Sequence, residues 1–277
     1  INKTNTVAPS TNDKLTLASS MTVDTLTIDG TPTSADTLDL GSGGYTLTLA
    51  NAGAAANVLT VSGTLTPGTS TVKYSATNSG GNINVAATTY NSLQISGAET
   101  YDLAGNLTSG NALTGNLTID TGATLAVSAS NYNITLAGNW TNNGGAFTAG
   151  TGTVTFNGTG AQAINGTASS QTFYNLIIAK TAGQTLSVSG STATLTVQDL
   201  TETTGNFTAP ATLNVNGNIT LTAGTFTAGA NTNVTGNWTN NGGIFTTGSN
   251  TVTFNGTAQQ TITTNSQPFN NLMLNNT

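Results

Sequence analysis

Short runs alternate apolar and hydroxyl side chains along almost the whole chain. Leu15-Thr16-Leu17, Leu26-Thr27-Ile28, Leu47-Thr48-Leu49, Val154-Thr155-Phe156 and Val252-Thr253-Phe254 are examples. A period of two puts the apolar members on one side of an extended strand and the threonines on the other. Gly or Asn closes most runs, the residues that best accept the positive φ of tight turns. No stretch carries a helical period, so the pattern predicts an all-β fold of half-buried strands.

The strongest longer-range signal is repetition. GNWTNNGGAFTAGTGTVTFNGTG (138–160) returns as GNWTNNGGIFTTGSNTVTFNGTA (236–258), with five differences. After a two-residue deletion the match continues, pairing Phe173 with Phe269 and Leu176 with Leu272. A tetrad Gly-Asn-apolar-Thr begins at Gly105, Gly115, Gly138, Gly205, Gly217 and Gly236. The steps from Asn116 to Asn139 and from Asn218 to Asn237 set its spacing. Intervals of roughly 20 residues suit one coil of a parallel β-solenoid, in which each coil lays its strands on the last. Tandem antiparallel sandwiches fit the period too. Asn-Gly pairs at Asn157, Asn165, Asn216 and Asn255 would suit their hairpins.

The solenoid is preferred, because coils need only resemble their neighbours and a duplicated sequence lengthens the fold without redesign. The reading is a parallel β-solenoid with coils of about 18–23 residues. Leu117, Ile119, Phe156, Leu176, Ile178, Phe254 and Leu272 face its interior. Asparagines are expected to stack as amide ladders at equivalent turns. Phe156, Phe173, Phe254 and Phe269 are expected to form aromatic ladders, and Trp140 and Trp238 to sit at matching positions on different coils. Residues 105–277 form the regular repeat solenoid, which stops mid-repeat. Residues 1–104 read as an N-terminal region of looser repeats with room for a cap, broken by Pro32 and Pro67 and holding seven of the ten acidic residues.

Composition narrows the function. Charged residues are 5% of the chain, against roughly 25% in ordinary soluble domains. His, Cys and Arg are absent, and the lysines are Lys3, Lys14, Lys73 and Lys180. Nucleic-acid binding needs clustered basic side chains, which are missing. No apolar run is long enough to span a membrane. The chain opens at Ile1, not Met, and is read as a segment of a longer, processed precursor.

Catalysis needs positioned titratable groups. Residues 121–179 and 203–277 have none that are charged. The densest carboxylates, Asp24, Asp29, Asp36 and Asp39, could form a glycosidase pair or hold Ca²⁺, but solvated turns explain them better. No enzyme, cofactor or metal site is expected. Lys73 or Lys180 could form an isopeptide bond to an Asn with Glu99, Asp102 or Asp199 as helper, yet any lysine here finds Asn nearby. Paired Thr-x-Thr hydroxyls, as at Thr153 and Thr251, are one way solenoids bind ice; outward Thr with good β-propensity explains the same pattern. Asn-x-Ser/Thr sequons are dense, and six of them are the Gly-Asn tetrads themselves. Trp140 and Trp238 are the candidates to stack on sugar rings, although aromatic residues in alternating strands usually pack inward.

The repeat GNWTNNG…TVTFNGT…FYNL resembles one found in very large bacterial surface proteins of the haemagglutinin or adhesin type, which are β-solenoids. The resemblance covers 105–277 well and 1–104 only in style. It implies secretion to the cell surface and a structural or adhesive role in a fibre, layer or adhesin stalk, with surface glycans as the alternative ligand. It carries no catalytic residues. The uncharged C-terminal stretch further predicts head-to-tail contact, with more repeats of the same polypeptide or with other copies.

Overall fold

The computed structural model describes residues 13–31, 34–53, 56–78 and 81–277. Lys3, Pro32 and the Asn2 sequon lie outside them. Every element among the described residues is a β-strand. Among the described residues the strand registers are parallel except where Gly30–Thr31 meets Ser34–Ala35. The chain is a β-solenoid, as the alternation and the repeat predict. It divides into two compact units. One holds the described residues up to Asn133 with Asn143–Thr148, the other Ile134–Asn142 with Ala149–Thr277.

In the first unit, Met21–Val23, Thr46–Leu49, Thr71–Tyr74, Ser92–Ile95 and Leu117–Ile119 stack in that order as one parallel sheet. Ile83–Val85, Thr100–Leu103, Thr124–Ala126 and Ala146–Thr148 form another. Its interior is rich in tyrosine, and the hydroxyls are satisfied within the protein. Tyr74 and Tyr90 share a 2.9 Å hydrogen bond, the Ala86 N–H donates to Tyr74, and Tyr90 donates to the Ala86 carbonyl. Burial raises the Tyr74 hydroxyl to about 12 and pushes Tyr90 well above its usual range.

The second unit has three parallel sheets, visited in turn by each coil. The first runs Trp140–Asn142, Gln162–Gly166, Thr185–Val188, Asn206–Thr208, Thr225–Thr227, Ile244–Thr246. The second runs Ser170–Thr172, Thr194–Val197, Thr212–Val215, Asn231–Val234, Thr251–Phe254, Asn271–Leu274. The third runs Ile134–Leu136, Thr153–Phe156, Asn175–Ala179, Asp199–Thr204, Ile219–Leu221, Trp238–Asn240, Ile262–Thr263. In strand after strand the apolar position is buried and the hydroxyl position half-exposed, as in Thr251–Phe254. Coil length varies more than the spacing of the tetrads suggests. Thr194 pairs with Thr212 across a short coil, while Gln162 pairs with Leu186 across a longer one. In the first unit the coil from Thr37 to its partner Thr64 is longer still. The corners absorb the difference, so the strands stay in register. The Asn-Gly pairs at Asn157, Asn216 and Asn255 fall at such corners, not at hairpin turns.

Of the predicted interior, Leu117, Ile119, Phe156, Leu176, Ile178 and Phe254 are buried. Leu272 is not: it is 49% exposed. It faces the same way as its buried partner Val252, but its strand is paired along one edge only and no described strand lies over it. The aromatic ladder also differs from the expected set. Phe207, Phe226 and Phe245 pair in register on the first sheet, with ring centroids 5.5 and 5.3 Å apart. Phe156 instead stacks between Leu136 and Ile178.

Candidate functional site

Trp140 and Trp238 are 0% and 1% exposed. Neither presents a face to a sugar ring. Each ring packs in a T-shaped pair with a phenylalanine, Phe173 at 4.9 Å and Phe269 at 5.2 Å. Each also pairs in register with an isoleucine, Ile164 and Ile262. The local surroundings are therefore duplicated, but the faces differ: Trp140 lies on the first sheet and Trp238 on the third. Trp140–Asn142 is the seventeenth strand and Trp238–Asn240 the thirty-first, a step of fourteen. With three strands to a coil, fourteen is not a whole number of coils. The repeat reproduces strands and corners, and lands on whichever face the count reaches.

The corner chemistry is carried by side chains that the alternation hides. Gln162 receives the Gly158 N–H at 2.8 Å and donates to the carbonyls of Leu136 and Gly138. Gln260, its counterpart in the second copy of the repeat, receives the Gly256 N–H at 2.9 Å and donates to those of Val234 and Gly236. Glycine is needed at 158 and 256, since a Cβ there would meet both a carbonyl oxygen and the glutamine carboxamide. The two glutamines were legible as part of the repeat, but nothing in the alternation assigns them a role.

The tetrad asparagines act between coils, though not as the expected amide ladders. In the second unit the side-chain oxygens of Asn139, Asn206, Asn218 and Asn237 accept the N–H of Ala163, Thr225, Asn237 and Thr261, one coil later. Asp199 does the same for Asn218 at 2.7 Å. Asn106 does so for Asn133 in the first unit. Amide-to-amide contacts are fewer, as between Asn233 and Asn214 at 2.8 Å.

Asp39 and Asp102 of the first unit are each tied to a neighbouring side chain. Asp39 binds Lys14 at 2.9 Å and the Gly41 N–H at 2.8 Å. Those bonds hold its carboxyl below the usual range. Asp102 accepts from Asn82. Among the described residues no three His, Cys, Asp or Glu side chains gather as a metal site would require. Lys73 lies on the outer side of its sheet, between Thr48 and Gln94 in register.

Two charged side chains are buried in the second unit, each 1% exposed. Lys180 donates to the Gly158 carbonyl at 3.1 Å and to Gln162 Oε1 at 2.6 Å, and desolvation lowers its ammonium to about 8. Glu202 lies in register between Ile178 and Leu221, both buried and apolar. Its oxygens have no partner of hydrogen-bonding geometry. Desolvation raises it to about 8, and the nearby Phe207 N–H offsets this only in part. Composition alone gave no sign that either charge would be internal.

The outer side of the third sheet is a hydroxyl and amide surface. Thr155, Ile177, Thr201, Thr220, Thr239 and Thr263 follow one another in register. Beside this column a hollow of about 330 Å³ is lined by Thr153, Asn175, Ile177, Asp199, Thr201, Asn218 and Thr220, among others. Consecutive coils of this unit do not repeat Thr at both outward positions. On the second sheet, for example, Thr194 and Thr196 are followed by Thr212 and Asn214. The doubled threonine ranks that an ice-binding face would need are not built in this unit. No family model, curated protein or solved structure matches the chain.

Proposed function

We propose that this chain is a building block of an extracellular bacterial surface structure, a fibre, layer or adhesin stalk that grows by adding coils. The observation that carries this reading is the stack of coils: Phe207, Phe226 and Phe245 on one sheet and Val215, Val234 and Phe254 on another follow one another in register, so each coil is seated on the last by the same kind of contact. The strand Asn271–Leu274 is paired along one edge, to Thr251–Phe254, and Leu272, Met273 and Leu274 are 49%, 53% and 69% exposed. An open edge with apolar side chains is a template for another strand. Three further features support the reading. The outward positions are uncharged over long stretches, the corner module is used on two different faces, and the repeat resembles that of bacterial surface solenoids.

The test combines imaging and solution size. Antibody raised against the chain should decorate surface fibres or layers of the native cell in electron micrographs. The isolated chain should self-associate as concentration rises, and Leu272→Lys with Leu274→Lys should abolish this. A wild-type chain that stays monomeric at every concentration overturns the stacking.

A second reading, a carbohydrate-binding adhesin module, rests on the hollow of the third sheet, where hydroxyls and amides could meet sugar hydroxyls. Glycan-array binding that Thr201→Val and Thr220→Val remove would favour it over the scaffold.

A further inference from the structure

We propose that Lys180 and Gln162 become joined by an intramolecular isopeptide bond. Lys180 is sealed from solvent, and its Nζ touches two neutral acceptors, the Gly158 carbonyl and Gln162 Oε1. The ion pair seen among the described residues is Lys14 with Asp39, so Lys180 has no counter-charge. A buried, unpaired ammonium is costly. An amide in its place is not, and the bond would remove the charge altogether.

The carboxamide is held within reach of Nζ. Oε1 lies 2.6 Å from Nζ, and Cδ is one carbonyl bond further, so the attacking distance is at most about 3.8 Å. That is close to the separation of reactive pairs held for attack. The Gly158 N–H, 2.8 Å from Oε1, is placed to stabilise the oxyanion of a tetrahedral intermediate. The carbonyls of Leu136 and Gly138 hold the nitrogen that must leave. Burial lowers the Lys180 ammonium to about 8, so some neutral amine is present near neutral pH.

In the step itself the Nζ lone pair forms the bond to Cδ and the Cδ–Nε2 bond breaks. One proton passes from Nζ to Nε2, and ammonia leaves. No oxidant, reductant or cofactor is needed. Gln260 supplies an internal comparison. It sits in an equivalent cradle, and there the position matching Lys180 is Asn276, which binds the Ala258 carbonyl and offers no amine. The glutamine therefore serves the corner without a lysine, and the lysine is an addition to one copy.

The test is a tryptic digest of the fully denatured chain with mass spectrometry. The chain has no arginine, and cleavage after Lys180 releases residues 181–277. The expected result is a fragment that runs through Lys180 uncut and is lighter by one ammonia. Gln162→Met should restore the cut, and Gln260→Met should leave it blocked. A succinimide at an Asn-Gly pair also loses ammonia, but it leaves Lys180 cleavable and reverts in mild base. A wild-type digest that releases 181–277 with an unmodified Lys180 overturns the proposal. Because that digest is of denatured wild type, its outcome does not depend on any variant folding.

Discussion

At the scale of single residues, stability is set by polar groups that the strands do not use themselves. Asn237 is representative: its side chain holds the Thr261 N–H at 2.7 Å across one coil. Asn237→Ala removes the acceptor and leaves that N–H to find water, at a cost of about 1 kcal/mol in denaturant unfolding. Glu202 gives a pH signature. Its folded value, about 8, lies above the unfolded one near 4.5, so the folded chain holds the proton more tightly. Below the unfolded value both states are protonated and nothing is lost. As pH rises from there towards 8 the unfolded state ionises first and stability falls, then levels off once the folded group ionises too. Each tenfold difference in proton affinity is worth about 1.4 kcal/mol, so the loss is up to ~5 kcal/mol. Urea midpoints measured across this range should decline in wild type, and Glu202→Gln should flatten the decline.

At the scale of strands and corners, the interior is a set of ladders and the corners are stacks of glycine. Phe226 touches Phe207, Phe245 and Trp238, with centroids 5.5, 5.3 and 6.1 Å away. Phe226→Ala empties the middle of that ladder, and a loss of about 3–5 kcal/mol is expected in thermal or chemical unfolding. Gly224 has φ of +92°, and a Cβ there would run into the Gly205 carbonyl oxygen. Gly224→Ala therefore combines backbone strain with a clash that no side-chain movement relieves. It should cost more than Gly160→Ala, at an open position with nothing near its Cβ. Comparing the two melting temperatures checks this.

At the scale of the whole molecule, coil number is a free variable within the second unit. Asn206 pairs with Thr225, Thr212 with Asn231 and Ile219 with Trp238, so one coil here advances by the same number of positions on all three sheets. Deleting 206–224 removes one complete coil and brings strands of the same sheet together, with Leu186 meeting Phe226. Repeat folds tolerate such excisions because each coil contacts only its neighbours. The deletion should leave a soluble β-rich protein with a cooperative melt. Deleting 206–218 removes only two of the three strands and shifts every later strand to the wrong face, so that chain should fail to fold. Circular dichroism on the pair separates the outcomes.

Alternation in the sequence determined that the elements are strands, and which side of each is buried: Val154 and Phe156 are inside and Thr153 and Thr155 half-exposed because successive side chains point to opposite faces. The repeat determined the local modules, since Trp140 with Phe173 and Trp238 with Phe269 are packed alike. Those are short-range properties, governed by neighbours along the chain. Tertiary structure decided the rest. Strand partners lie at unequal distances along the chain, Thr194 to Thr212 in one coil and Thr37 to Thr64 in another, and that varying distance assigns each strand its sheet. Hence the two tryptophans occupy different faces. Leu272 reads as interior, yet a side chain becomes interior only when a coil lies over it. Lys180 and Glu202 carry charged side chains, and nothing adjacent to them in the sequence marks them as internal, yet both are buried. Burial is a property of what stacks above and below, and no window of sequence contains that information.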